Sequence, residues 1–224
     1  MARLILIYGQ PGSGKSFSLK NLPADKTVII DADRKGSLPW RGFKKSFSAD
    51  KKNFQPVDSL DVINASIKKI AQSEEYANIK NLVVDGISNA LTNEVFFYED
   101  NNKTTNKFEK WEQVAKKFAR VITTAKKLRD DLNIIFIGHV EVADSYAPGD
   151  VDKFFTPGQM LKKTFKTESH FEYVFYSKTD GENFFFETAP MNSTARSPHE
   201  CFEKIIPNDL NAAIEMIDKY EEGE

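Results

Sequence analysis

The chain has 224 residues, the usual size of one α/β domain. Its formal net charge of −2 and charged content of 29% are typical of a globular protein and exclude one that is basic throughout. The single cysteine, Cys201, cannot form an internal disulfide, and no apolar stretch approaches the ~18 residues of a membrane span. We therefore expect one domain over residues 1–224, located in the cytoplasm and without membrane contact.

The first motif in the chain is a phosphate-binding loop of the Walker A type at residues 9–16. It follows the apolar run 4–8, which predicts a buried strand, and Ser16 begins a segment that we expect to be helical. Glycines let backbone N–H groups surround a phosphate, and the helix N-terminus adds partial positive charge. Lys15 is expected to reach the β- and γ-phosphates, and the Ser16 hydroxyl to bind Mg²⁺. The predicted ATP-binding residues are Gly9, Gln10, Pro11, Gly12, Ser13, Gly14, Lys15, Ser16 and Phe17.

Short apolar runs alternate with helical patterns through the first 140 residues, which predicts an α/β fold with a mostly parallel central sheet flanked by helices. The predicted strands are 4–8, 27–30, 82–86 and 134–139. The predicted helices are a segment capped by Asp58 or Ser59 that reaches Ile70, then 104–131 and 208–220. The runs 171–176 and 184–187 flank a Thr-Asp-Gly turn, which predicts a C-terminal antiparallel hairpin.

Carboxylates follow two of these strands, at the edge of the sheet where the nucleotide should lie. Asp85 directly follows the apolar residues 82–84 at the end of the third predicted strand. It fits a Walker B aspartate, which would complete the Mg²⁺ site with Ser16. Gly86 follows it, so the residue that activates water must come from elsewhere. Asp31 and Asp33 close the second strand; we favour Asp33 as the water-orienting base and keep Asp31 as the alternative.

His139 closes the fourth predicted strand at the same edge. There it could contact the γ-phosphate and report its presence to the following loop, although a histidine bonded to a backbone carbonyl would give the same pattern. The predicted catalytic set is therefore Lys15, Asp33, Asp85 and His139.

Residues 143–166 follow His139 and contain several glycines and prolines, so we expect a long mobile loop there. Lysines and aromatic residues alternate in it, as they do in surfaces that bind single strands, although a solvated lysine face over a phenylalanine core would look alike. The candidate DNA-binding residues are Lys153, Phe154, Lys162, Lys163 and Lys166. Arg196 could reach a nucleotide on a neighbouring subunit, the alternative being an ordinary surface arginine.

Together these motifs resemble the RecA-like P-loop ATPases, specifically the small core-only versions that bacteriophages encode for single-strand annealing and recombination. In that family the second strand ends in a hydrophobic-Asp-small-Glu pattern, and here Asp33 stands in the place of the glutamate. The family's Walker B strand ends in Asp-Ser, which is similar to Asp85-Gly86, and its γ-phosphate-sensing glutamine is replaced by His139.

The resemblance implies a Mg²⁺-dependent ATPase that is stimulated by DNA. It also implies single-stranded DNA as partner, a homo-oligomer, and a single-strand-binding protein as a further candidate partner. Two other functions stay open. A small-molecule or nucleotide kinase has a similar loop, but residues 140–166 contain no arginine for a phosphate-clamping lid. A non-catalytic nucleotide switch or loader would carry the same loop as well.

Overall fold

The computed structural model describes residues 1–101, 109–145, 149–158 and 160–223. Its strands are β1 (Arg3–Gly9), β2 (Thr27–Asp31), β3 (Phe54–Pro56), β4 (Asn81–Asp85), β5 (Asn133–Glu141), β6 (Lys153–Phe154), β7 (Tyr173–Thr179), β8 (Phe184–Glu187) and β9 (Ile205–Pro207). They form one sheet in the spatial order β3-β2-β4-β5-β1-β7-β8-β9, and β6 pairs with β5.

The part of the sheet from β3 to β7 is entirely parallel. Its central strands read as apolar runs because both of their faces are covered; Ile5, Leu6 and Ile7 are fully buried. β5 lies between β1 and β4, so the strand that leads to the phosphate-binding loop does not pair with the strand that ends in Asp85. β7, β8 and β9 continue the sheet in antiparallel pairs.

Helices cover both faces of the sheet. They are α1 (Phe43–Ser46), α2 (Leu60–Gln72), α3 (Ile87–Asn101), α4 (Glu109–Lys126) and α5 (Leu210–Glu222). Side chains of α2, α3 and α4 belong to the core on one face, and those of α1 and α5 to the core on the other. None of the helices within the described ranges is both long and apolar enough to cross a membrane. The predicted α/β fold with a mostly parallel sheet and a C-terminal antiparallel hairpin is confirmed.

Two predicted helices agree with the structure, a third is shorter than predicted among the described residues, and α3 was not predicted. Ser59 precedes α2, and the Asp209 carboxylate caps α5 by accepting hydrogen bonds from two backbone N–H groups. The predicted helix 104–131 is observed as Glu109–Lys126, residues 104–108 lying outside the described part of the chain. α3 was not predicted, because apolar residues such as Phe96 and Phe97 also lie on its exposed side and blur the helical period.

The helix expected after the phosphate-binding loop is wrong in type and length. The structure has one 3₁₀ turn, Phe17–Asn21, followed by Leu22 in an extended conformation. Pro23 accounts for this, because a proline disfavours the helical conformation of the residue before it.

The expected long loop 143–166 is also wrong for its described residues. β6 pairs antiparallel with the end of β5, and Met160–Phe165 forms a π-helix. Phe154 and Leu161 are buried, so apolar contacts hold this segment against the core. Residues 146–148 and 159, which the prediction also included, lie outside the described residues.

Candidate functional site

The phosphate-binding loop follows β1 and leaves backbone donors unused. Gly12 and Gly14 have φ values of 78° and 89°, which glycine adopts without strain. The N–H groups of Gly12, Gly14, Lys15 and Ser16 donate to no acceptor in the described part of the chain. A loop with several unpaired N–H groups is a ready anion site, so the backbone fits the phosphates of a nucleotide.

The hairpin β7–β8 packs against the phosphate-binding loop. The Ser177 hydroxyl donates to the Ser13 carbonyl at 2.6 Å, and Asn208 donates to the same hydroxyl at 3.1 Å. Phe184 lies so close to Gly14 that a Cβ there would be 2.6 Å from its ring. Gly14 is therefore required by contact as well as by its backbone angle.

Lys15 points back into its own loop. Its Nζ donates to the carbonyls of Gly9 at 2.9 Å and Gln10 at 2.7 Å. Burial lowers the pKa of Lys15 to about 8, and the negative charge of Asp85 partly opposes that effect. A phosphate group would replace these carbonyl contacts with a charged partner.

Ser16 and Asp85 are in direct contact at the end of the phosphate-binding loop. The Ser16 hydroxyl donates to Oδ2 of Asp85 at 2.8 Å. Burial raises the pKa of Asp85 to about 6, although the hydrogen bond from Ser16 acts against it. A hydroxyl and a carboxylate are oxygen ligands of the kind that Mg²⁺ prefers, and the ion commonly keeps water and nucleotide phosphate in its other positions. The described residues contain no group of three or more acidic, histidine or cysteine side chains that could hold a metal by themselves.

Asp33 faces the nucleotide side of the sheet, whereas Asp31 does not. The Asp33 side chain is 4% exposed, and its two oxygens accept hydrogen bonds from Lys35 and Asn89. Asp31 is fully buried; one of its oxygens accepts from the Gly36 N–H at 2.8 Å and the other makes no hydrogen bond among the described residues. This difference favours Asp33 over Asp31 as the residue that orients water.

Gly86 makes the position of Asp33 possible. Its φ is 91°, and a Cβ at this residue would lie 2.0 Å from Oδ1 of Asp33 and 2.4 Å from its Cγ. The glycine after Asp85 therefore leaves the space that the Asp33 carboxylate occupies.

His139 lies opposite Gly9 in the register of β5 and β1. Its backbone N–H donates to the Ser88 hydroxyl at 2.9 Å, which fixes the end of the strand. Burial, and then the nearby charge of Lys15, lower the pKa of His139, which favours its neutral imidazole. A neutral imidazole can donate one hydrogen bond to a phosphate oxygen.

A cavity of about 480 Å³ lies at the carboxyl edge of the parallel strands. The cavity joins the residues that the sequence predicted on four separate strands: Lys15, Ser16, Asp33, Asp85 and His139. The cavity is also lined by Lys35, which belongs to no sequence motif; the one signal for it in the sequence is its position two residues after Asp33. The roles of Asn89, Phe184 and Ser177 depend on contacts between distant segments, and no local pattern indicates them.

The candidate DNA-binding residues are not gathered on one open surface. Lys162 forms an ion pair with Glu141 at 2.6 Å, and Lys153 lies 3.8 Å from the same carboxylate. Phe154 is 3% exposed and packs beneath Gly138, so its ring belongs to the core and cannot stack on a base as proposed from the sequence. Lys163 and Lys166 are exposed.

Arg196 lies at the opposite edge of the sheet from the nucleotide cavity, beside the start of β1. Its guanidinium donates to the backbone carbonyls of Glu168, at 2.8 Å, and Phe171. It also bridges to Val174 through the backbone. These contacts stabilise the chain itself, and action on a neighbouring subunit stays a prediction.

Two comparisons with known proteins bear on this site. None of the curated proteins matches the chain. A family model described as an AAA domain, AAA_24, matches residues 1–190, the part of the chain that contains the whole cavity lining. With the match covering most of its length, the chain belongs to this family of AAA domains, and it is an AAA-type P-loop ATPase domain.

Proposed function

We propose that this protein is a Mg²⁺-dependent ATPase that acts on single-stranded DNA in recombination, annealing or replication of the kind found in bacteriophages. The observation that carries the ATPase part is the convergence of Lys15, Ser16, Asp33, Asp85 and His139 on one cavity. The DNA part rests on the resemblance of the motifs to phage RecA-like proteins, and the same resemblance supports a homo-oligomer and a single-strand-binding protein as partners.

The roles of the residues follow from their positions. The unpaired N–H groups of Gly12, Gly14, Lys15 and Ser16, together with the Lys15 ammonium, would bind the phosphates. Ser16 and Asp85 would hold Mg²⁺, which stabilises charge on the phosphates. Asp33 lies in the cavity wall, where its carboxylate can accept a hydrogen bond from the attacking water and direct its lone pair to the γ-phosphorus. His139 would donate to a γ-phosphate oxygen.

A backbone contact supports coupling between the nucleotide and the segment after β5. The carbonyl of His139 accepts a hydrogen bond from the N–H of Phe155 at 2.9 Å. A shift of His139 on γ-phosphate binding would therefore be felt directly at β6. Such a link would carry the state of the nucleotide to the segment after β5.

ATP hydrolysis with and without an oligodeoxythymidine, at low salt, tests the proposal. We expect turnover that rises with DNA, and none above background for Lys15→Ala. Asp33→Asn keeps the shape of the side chain, so we expect it to retain ATP binding and lose turnover by at least 100-fold, the usual order for a group that assists proton transfer. Turnover that is insensitive to DNA would contradict the DNA part, and normal turnover by Asp33→Asn would contradict the assignment of the base.

A second candidate function is a nucleotide switch with very slow turnover. It is favoured by one observation: both oxygens of Asp33 already accept hydrogen bonds, from Lys35 and Asn89. A single-turnover experiment with excess protein separates the two. A switch would hold ATP uncleaved for hours with or without DNA, whereas the proposed ATPase would cleave bound ATP faster when DNA is present.

A further inference from the structure

One segment of the chain carries a large excess of positive charge. Residues 34–52, which we call the basic segment, contain seven lysines and arginines and one aspartate. Their net charge is +6, so the remainder of a chain with net charge −2 carries −8. The overall acidity therefore hides a strongly basic segment, which begins directly after Asp33.

Several cations of the basic segment have no carboxylate partner. Arg34, Lys35 and Lys52 form ion pairs with Asp58, Asp33 and Glu75 respectively. In contrast, the exposed side chains of Arg41, Lys44 and Lys45 lie within 4 Å of no acidic group among the described residues. Like charges held close together without counter-charges repel each other, so this arrangement costs stability unless an anion is bound.

Aromatic packing and hydrogen bonds fix the backbone that carries the unpaired cations. Phe43 and Phe47 are buried and stacked on each other, and Trp40 packs edge-to-face on Phe43 with ring centres 5.1 Å apart. The Asn53 side chain holds the backbone on both sides of Phe47. It donates to the Ser46 carbonyl at 2.9 Å and accepts from the Ser48 N–H at 3.0 Å. Preorganisation of this kind reduces the entropy lost when a partner binds.

The basic segment runs between the two ends of the sheet. Lys35, Ser37, Leu38 and Pro39 line the nucleotide cavity at the carboxyl edge of the strands. Lys45, Lys51 and Lys52 line a second cavity of about 580 Å³ near the amino ends of β2 and β4. The segment thus forms a basic track that begins at the nucleotide and continues along the sheet.

We propose that the basic segment binds the phosphodiester backbone of single-stranded nucleic acid, with Arg41, Lys44 and Lys45 as the main contacts. This inference rests on the proposed function and names the surface that carries it out. Cations unpaired in the protein supply the phosphate contacts, and the half-buried Trp40 supplies an aromatic edge beside them. None of the large exposed apolar side chains in the described ranges falls within residues 34–52, which disfavours insertion into a membrane as the reason for the charge.

This surface is better suited to the task than residues 153–166. There two of the four lysines already contact Glu141, and the candidate stacking ring of Phe154 is in the core. Ion pairs must be broken before such lysines can bind phosphate, which offsets part of the gain in binding.

Two matched variants test the proposal, each removing three positive charges: Arg41→Ala/Lys44→Ala/Lys45→Ala in the basic segment and Lys162→Ala/Lys163→Ala/Lys166→Ala in the other. Binding of fluorescent thirty-residue oligodeoxythymidine and oligouridine is measured by anisotropy from 0.05 to 1 M salt. Three lost phosphate contacts should lower the slope of log K against log salt by about 2. We expect binding to weaken by one to two orders of magnitude at about 0.1 M salt for the first variant and by less than threefold for the second.

A fluorescence experiment locates the contact independently. The chain has two tryptophans, Trp40 and Trp111, so Trp111→Phe leaves Trp40 as the reporter, and we expect its emission to change on saturation with oligonucleotide. A thermal midpoint of the basic-segment variant that is equal to or above that of the wild type reports an intact fold, because the variant loses repulsion between like charges.

The failures can be told apart. A wild-type protein that binds neither oligonucleotide overturns both the inference and the DNA part of the proposed function. If the wild type binds and the affinity of the basic-segment variant lies within threefold of it, the inference alone is overturned. The same holds if the emission of Trp40 does not change on saturation with oligonucleotide. A larger loss for oligouridine than for oligodeoxythymidine would support the surface and identify RNA as its source of phosphodiesters.

Discussion

Replacement of Gly86 by alanine tests the close approach of two strand ends that shapes the site. Alanine at a φ of 91° costs about 1–2 kcal/mol, because its Cβ meets the backbone. The same Cβ would also lie 2.0 Å from Oδ1 of Asp33. Asp33 has little room to move, since it is held by Lys35 and Asn89, and overpacking of this kind costs about 1–3 kcal/mol. We expect Gly86→Ala to lower the free energy of unfolding by about 2–5 kcal/mol.

Urea unfolding followed by far-ultraviolet circular dichroism measures this loss as a lower midpoint at unchanged slope. Gly181→Ala is the matched control, because Gly181 has a φ of 101° and a Cβ there would meet no atom within 4 Å. The control carries the backbone strain alone, so we expect it to cost about 1–2 kcal/mol. Equal losses for the two variants would refute the argument that contact with the Asp33 carboxylate requires a glycine at residue 86. ATP turnover should fall with Gly86→Ala and not with Gly181→Ala, because only the first displaces the Asp33 carboxylate.

Three further predictions concern the charge and the support of the loop. Because the folded pKa of Asp85 is raised to about 6 above its ordinary 3.8, stability without Mg²⁺ should fall as pH rises from about 4 to 6. Asp85→Asn should remove that fall and raise the free energy of unfolding by roughly 3 kcal/mol at pH 8, as measured by urea unfolding in the presence of a metal chelator. A variant with the same dependence of stability on pH as the wild type would contradict this. Since the pKa of Lys15 is lowered to about 8, ATP binding at pH 8 should take up about half a proton, measured by calorimetry in two buffers. Lys15→Arg should abolish the uptake, and equal uptake by both proteins would exclude Lys15 as its source. Phe184→Ala removes the ring beneath Gly14 and should weaken ATP binding about tenfold with little effect on turnover at saturation; unchanged affinity would show that the loop holds its shape without it.

The nucleotide site could be predicted from the sequence because its parts lie at strand ends. Each of Asp33, Asp85 and His139 follows an apolar run, and parallel strands bring their carboxyl ends to one edge of the sheet. The order of the motifs along the chain was therefore enough to place them together. The choice of Asp33 over Asp31 depends on which carboxylate faces the cavity, and only the turn after β2 determines that.

The segments that were predicted wrongly depend on contacts between distant residues. Phe154 sits in a run of lysines and aromatics that indicates a surface, yet Gly138 leaves a space into which its ring fits. The period of α3 is blurred by Phe96 and Phe97, whose exposure no local rule predicts. The short turn after the phosphate-binding loop is a different case, since Pro23 was a visible stop signal for a helix.

The position of β5 in the sheet has a consequence for the order of events during synthesis on the ribosome. β1 pairs only with β5 and β7 among the described strands, and both are made long after it. A nascent chain therefore carries an apolar strand with two open edges until at least residue 141 has emerged, which exposes it to association with other chains. Over that interval the phosphate-binding loop and Asp85 lack the strand that lies between them, so the complete ATP site forms only after β5 has been made. A chain that binds ATP is therefore one in which β5 has already paired with β1 and β4.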